Sequence, residues 1–157
     1  MGALRPNECI PPADGVARRK YMKKEGAIQV LIVDDHTLVR QGLRSMLEDY
    51  SDIQVVGEAR NGLEAIFLME TLRPCVVLMD INMPKMNGIE ATAQITNGYP
   101  DTRIIGLSVN ATTENQEAIR RAGAVQLLPK ETAVEKLYEA ICEAVTNRET
   151  SRAPLLN

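Results

Sequence analysis

The chain is 157 residues long, 45% hydrophobic and 25% charged, with a net charge of −3 at neutral pH. This size fits one domain with a proper core, and no apolar run approaches the roughly twenty residues that cross a bilayer, which excludes a membrane-spanning protein. Residues 1–27 hold six Lys/Arg and three acids, so the remainder is acidic, and with only 3% aromatic residues it lacks the basic patch or stacking rings of a nucleic-acid binder.

Residues 1–27 carry Pro6, Pro11, Pro12 and the cluster Arg18-Arg19-Lys20 with Lys23-Lys24, without an apolar period, and are expected to be a disordered leader. They lack the apolar core of a secretory signal, and Met22 offers an alternative start. Ile28–Val33 then reads as a first strand ending in Asp34-Asp35-His36. The pairs Leu38/Val39, Gly42/Leu43 and Met46/Leu47 give a helical stripe. Ile53–Ala59 is a second strand, weakened by Gly57 in the way an edge position tolerates. Asn61 with Glu64 predicts a helix start, with Leu63, Ile66 and Phe67 as its apolar face and Pro74 as its stop.

Val76-Val77-Leu78-Met79 runs without alternation into Asp80, and Pro84, Asn87 and Gly88 then break the pattern. Such a strand is buried on both faces and belongs to a parallel sheet covered by helices. A helix follows through Ile89, Ala93 and Ile95. Arg103–Ser108 is the fourth strand, and Thr112 or Thr113 caps a helix that stops at Gly123. Residues 125–128 form a short fifth strand closing on Pro129-Lys130. Thr132 with Glu135 reads as a capping box for a last helix whose stripe is Val134, Leu137, Tyr138, Ile141 and Val145. Residues 148–157 have no period and read as a tail or linker, which leaves 28–147 as the folded domain. Cys9, Cys75 and Cys142 are an odd number without metal-ligand spacing, so reduced thiols and a cytoplasmic location are expected.

Strands alternating with helices predict an α/β doubly wound parallel sheet of five strands in the order 2-1-3-4-5, with helices on both faces. Ligands in such sheets bind at the carboxyl ends of the strands. Asp34-Asp35, Asp80, Ser108 and Lys130 each close a different strand, so all gather at one rim. Crowded carboxylates repel one another and persist as anions when a cation joins them, and Mg²⁺ suits oxygen donors. Singly, the acids read as a solvated turn, Ser108 as a strand end and Lys130 as a loop lysine. Their coincidence at strand ends reverses that reading.

The segments Leu31-Ile32-Val33-Asp34-Asp35-His36, Val77 through Gly88, Ile104-Ile105-Gly106-Leu107-Ser108 and Leu128-Pro129-Lys130 resemble the motif series of response-regulator receiver domains, which have a flavodoxin-like fold. Asp34-Asp35-His36 followed by Thr37-Leu38-Val39-Arg40-Gln41-Gly42-Leu43 further resembles NarL/FixJ-type receivers, which usually precede a DNA-binding helix-turn-helix. No such module follows within these 157 residues.

The resemblance implies that Asp80 accepts a phosphoryl group from the phosphohistidine of a histidine kinase or phosphotransfer domain. It implies that Asp35, with Asp34 beside it, holds Mg²⁺ together with Asp80 and the backbone carbonyl of Asn82. Lys130 would pair with Asp80 and then with the phosphoryl oxygens, and the Ser108 hydroxyl would turn inward to them. His36 reads as a helix-start residue. Phosphorylation would switch a partner-binding or homodimerisation face built from the fourth helix, fifth strand and last helix. Two departures stand out: Leu127 occupies the position where many receivers carry Tyr or Phe, and Pro129 precedes the lysine.

Three rivals remain on sequence grounds. The first is a phosphorylation-independent binding module. The second is an aspartate-dependent phosphatase, which usually carries Asp-x-Asp where this chain has Asp80-Ile81-Asn82. The third is an FMN site, which Asp34-Asp35 would repel.

Overall fold

The computed structural model describes residues 26–151, so most of the leader expected over 1–27, and the end of the tail expected over 148–157, lie outside the described residues. Within them the chain runs β1 (Ile28–Val33), α1 (Thr37–Glu48), β2 (Ile53–Ala59), α2 (Gly62–Leu72), β3 (Val76–Asp80), α3 (Gly88–Gly98), β4 (Arg103–Ser108), α4 (Thr113–Ala122), β5 (Gln126–Pro129) and α5 (Lys130–Ser151). The five strands form one sheet in the order β2-β1-β3-β4-β5, and every neighbouring pair is parallel. This is the doubly wound α/β architecture expected.

The pleat sends alternate residues to opposite faces. Val30, Ile32, Val76 and Leu78 join Leu43 and Leu47 of α1 and Leu137 and Ile141 of α5 on one side. Leu31, Val33, Val77 and Met79 join Ala65 and Met69 of α2, Ile95 of α3 and Ile119 of α4 on the other. Each fully buried Leu or Ile in these layers contributes about 1.5–3 kcal/mol of transfer free energy. Tyr138 of α5 clamps that helix to the turn before β2, donating its hydroxyl to Asp52 Oδ2 at 2.6 Å and stacking on Tyr50 at 3.9 Å between ring centroids.

Three helix starts are capped by side chains. Asn61 accepts from Glu64 N at 2.9 Å, Asn87 from Glu90 N at 2.9 Å and Thr112 from Asn115 N at 3.1 Å. Each satisfies an otherwise orphaned backbone donor. Gly123 ends α4 at a φ of 117°, in the left-handed region where a side chain is disfavoured.

Several local expectations are corrected. On α2, Leu63 and Phe67 are 54% and 75% exposed, while Gly62, Ala65 and Met69 are buried. On α1, Leu38 is 82% exposed, and Arg40 takes a place on the buried side. On α3, Ala91 and Thr92 face inward instead of Ala93. The expected capping box fails: α5 begins at Lys130, Thr132 sits in its first turn donating to Pro129 O at 3.1 Å, and Val134 is 69% exposed. That helix continues past Asn147 to Ser151. Cys142 is a free thiol, but Cys75 is disulfide-bonded. No helix among the described residues is long and apolar enough to cross a membrane.

Candidate functional site

The carboxyl ends of β1 and β3 lie side by side, with Val33 paired to Met79, so Asp34 and Asp80 emerge next to one another. The other neighbour of β3 is β4, with Asp80 opposite Leu107, and β5 follows with Ser108 opposite Pro129. Strand order thus brings together residues that are far apart in the chain. Ligand atoms of Asp34, Asp35, His36 and Asp80 all lie within 4.8 Å of one another.

Asp34 is fully buried and doubly tied. Its Oδ1 accepts from the His36 backbone N–H at 2.9 Å, and its Oδ2 receives Lys130 Nζ at 2.7 Å. Asp80 is also buried, its Oδ1 accepting from Asn82 N at 3.1 Å. Its Oδ2 has no hydrogen-bond partner and stands 3.4 Å from Lys130 Nζ as an ion pair. Lys130 thus pairs with Asp80, as the resemblance implies, but more closely with Asp34, a partner the sequence reading did not give it.

Burial, and then the neighbouring Asp34 charge, push the Asp80 carboxyl up to about 6, against the opposing pull of the Asn82 N–H and Lys130. Burial works against charge on Lys130, but its bond to Asp34 and the charges of Asp80 and Asp34 outweigh that and leave its pKa above the ordinary value. The lysine faces two buried carboxylates, those of Asp34 and Asp80. Asp80 Oδ2 and Asp35 Oδ1 are both buried without hydrogen-bond partners. Orphaned anionic oxygens of this kind fit a hard divalent ion, which takes oxygen ligands and keeps positions for water or phosphate.

The loop after Asp80 folds back on the strand. Gly88 N donates to Ile81 O at 3.2 Å, and a Cβ on Gly88 would collide with the Asp80 carbonyl oxygen, so only glycine fits. Lys85 holds a φ of 68°, left-handed for a residue with a side chain. Asn82 lies in this loop two residues beyond Asp80, with its N–H committed to that carboxylate.

Ser108 is buried at the end of β4 but does not turn inward. Its hydroxyl donates to Asn110 O at 3.0 Å and accepts from Asn110 N at 3.0 Å, a local turn of the kind serine readily forms. Leu127 is buried on the α2–α4 side of the sheet, where a Cβ on Gly106 would meet its Cδ1 at 2.8 Å. Pro129 ends an edge strand, a place where a residue without an N–H is tolerated.

Two participants escape a sequence reading. Arg40, on the inner side of α1, donates Nη1 to the Asp34 carbonyl at 2.7 Å and Nε to Glu58 Oε1 at 3.0 Å. Arg44 holds the other Glu58 oxygen at 2.7 Å. Burial raises the Glu58 pKa, but Arg44 and Arg40 more than reverse this and leave it below the ordinary value. The signal was a charged residue at a helical position otherwise destined for the core. His36 is the N-cap residue of α1, as expected, yet its ring does not cap. It turns to the acids, with Nδ1 3.2 Å from Asp34 Oδ1 and 3.1 Å from Asp35 Oδ1.

Residues 30–142 match the family model described as the response regulator receiver domain. The chain is 43% identical over 114 residues to the response regulator UvrY of Escherichia coli, covering 73% of this chain and 52% of that protein. It is 38% identical over 117 residues to the transcriptional regulatory protein DegU of Brevibacillus brevis, covering 74% and 50% respectively. The chain thus spans about half the length of these curated relatives. Among solved structures, the response regulator domain of Thermotoga maritima CheB superposes with a TM-score of 0.72 at 34% identity, covering 76% of this chain and 97% of that one. The receiver domain of Mycobacterium tuberculosis NarL gives 0.73 at 28% identity, with the same coverage.

Proposed function

The chain belongs to the response-regulator receiver family, and from that premise we propose that it is a phosphoacceptor switch in which Asp80 takes the phosphoryl group. One observation carries the reading: Asp80 Oδ2 is buried at the end of the central strand, without a hydrogen-bond partner, 3.4 Å from the Lys130 ammonium. An Asp80 oxygen attacks phosphorus, the bond from phosphorus to the imidazole nitrogen of a phosphohistidine breaks, and the imidazole leaves with the electron pair. The product is an acyl phosphate. Most of the acceleration comes from positioning and charge neutralisation.

Asp35 and Asp80, with Asp34 beside them and the carbonyl of Asn82, would hold Mg²⁺. That ion supplies positive charge against the oxygens that crowd together during transfer. Lys130 moves from the carboxylates to the new phosphoryl oxygens. The Asn82 N–H fixes the orientation of the nucleophile. Ser108 must release Asn110 to reach the phosphoryl group, which couples occupancy of the site to the loop between β4 and α4.

The donor is a histidine kinase or phosphotransfer domain, and the readout is a partner or second copy on the α4-β5-α5 face, in the cytoplasm. Self-dephosphorylation would be the reverse use of the same groups, with water as acceptor. An open nucleophile oxygen beside a charged lysine weighs against a phosphorylation-independent module. The test is incubation of the full chain with acetyl phosphate and Mg²⁺, followed by intact-protein mass. A single phosphoryl adduct that Asp80→Asn abolishes and Lys130→Ala slows supports the proposal. Wild type as silent as Asp80→Asn would remove it.

A further inference from the structure

His36 is the only histidine of the chain, and phosphoryl transfer to Asp80 makes no use of its ring. The side chain is 66% exposed, yet its Nδ1 edge is turned inward to Asp34 and Asp35. We infer that His36, through Nδ1, is a ligand of the acidic site, enabling it to take a first-row transition dication with mixed nitrogen and oxygen donors. The inference rests on the proposed metal site at Asp35 and Asp80.

Spacing supports it. Two ligands at right angles on bonds of about 2.1 Å lie about 3 Å apart. Nδ1 lies 3.2 Å from Asp34 Oδ1 and 3.1 Å from Asp35 Oδ1, the edge lengths of such a polyhedron. The Asp35 oxygen is buried and its contact with Nδ1 falls short of hydrogen-bond geometry, so it remains an open donor, as does Asp80 Oδ2. The main chain at His36 is fixed beside the acids, because the His36 N–H is bound to Asp34 Oδ1 at 2.9 Å.

Donor chemistry sets the class of ion. Carboxylate and carbonyl oxygens alone suit Mg²⁺, Ca²⁺ and Mn²⁺, whereas imidazole adds affinity for Co²⁺, Ni²⁺ and Zn²⁺. Without metal, Nδ1 lies 3.2 Å from Asp34 Oδ1, and it donates there in the tautomer that carries its proton on Nδ1. On ligation that proton leaves to solvent, the Nδ1 lone pair binds the ion, and Nε2 carries the remaining N–H on the exposed side of the ring. Nothing need move far, since the donors already converge.

The experiment titrates the full chain calorimetrically with Mg²⁺ alone and Co²⁺ alone, for wild type, His36→Ala and His36→Phe, and records proton NMR of each Co²⁺ form. Wild type should bind Co²⁺ more tightly than Mg²⁺. Both variants should lose about tenfold or more in Co²⁺ affinity and less than about threefold in Mg²⁺ affinity, the selectivity an imidazole ligand confers. Wild type should also show one strongly shifted, exchangeable ring N–H, absent from both variants. Equal losses for the two ions, or no loss, overturn the inference while leaving the Mg²⁺ reading intact. A shifted ring proton that survives in Asp35→Asn/Asp80→Asn overturns it too, because the histidine then binds the ion elsewhere. Failure of wild type to bind either ion would contradict the underlying metal site itself.

Discussion

Replacing Asp80 by asparagine should make the metal-free protein more stable. The buried carboxyl has its pKa raised from an ordinary 3.8 to about 6, so the folded state holds the proton more tightly than the unfolded chain does. Between those values the unfolded chain ionises first, and stability falls as pH rises, reaching its full cost above the folded pKa. At about 1.4 kcal/mol per unit, the ionised carboxylate costs about 3 kcal/mol at pH 7.5, about 1.6 at pH 5 and about 0.5 at pH 4. The neutral amide of the Asp80→Asn variant carries no such cost, and its oxygen can still accept from Asn82 N. Urea unfolding of both proteins in EDTA at the three pH values measures the gap, since titrating groups distant from Asp80 cancel in the difference. Asp80→Asn that is less stable at pH 7.5, or a gap that does not shrink toward pH 4, would refute the reasoning.

Lys130→Met should destabilise the fold by about 3 kcal/mol at neutral pH by leaving the buried Asp34 carboxylate without its counter-charge. Urea unfolding should show part of that loss restored when Asp34→Asn is added. Gly88→Ala should cost about 2 kcal/mol or more, because its Cβ meets backbone of Asp80 and Ile81, and should slow Asp80 phosphorylation along with it. Lys85→Gly should raise stability by about 1 kcal/mol in thermal unfolding by relieving a left-handed backbone.

The sheet was legible because each strand is an apolar run that stops at a chemically distinct residue, and Asp34, Asp80 and Lys130 sit at those stops. What the side chains do there was less legible. That Lys130 chooses Asp34 over Asp80 depends on less than an ångström of reach across the sheet, 2.7 Å against 3.4 Å. The turn that Ser108 makes with Asn110, two residues on, could not be read from its place at a strand end. Helix faces failed where composition hides the period. On α2, Leu63, Ile66, Phe67, Leu68, Met69 and Leu72 are apolar nearly all round, and close packing selects the small residues. A Cβ on Gly62 would lie 2.9 Å from both Met86 O and Ala91 Cβ. The Thr132 and Glu135 pattern misled because Pro129 ends β5 and α5 starts at once with Lys130, placing Thr132 inside the helix. Arg40 is tolerated on the inner side of α1 because Glu58, on the neighbouring edge strand, and the Asp34 carbonyl both pair with it.

The most direct measurement is the position of the covalent adduct. Treating the acetyl phosphate-reacted chain with borohydride converts an aspartyl phosphate to homoserine, which peptide mass spectrometry then locates. The account predicts homoserine at position 80 alone, and only when Mg²⁺ was present. Homoserine at another aspartate, or none in protein shown to be folded and metal-loaded, would contradict it.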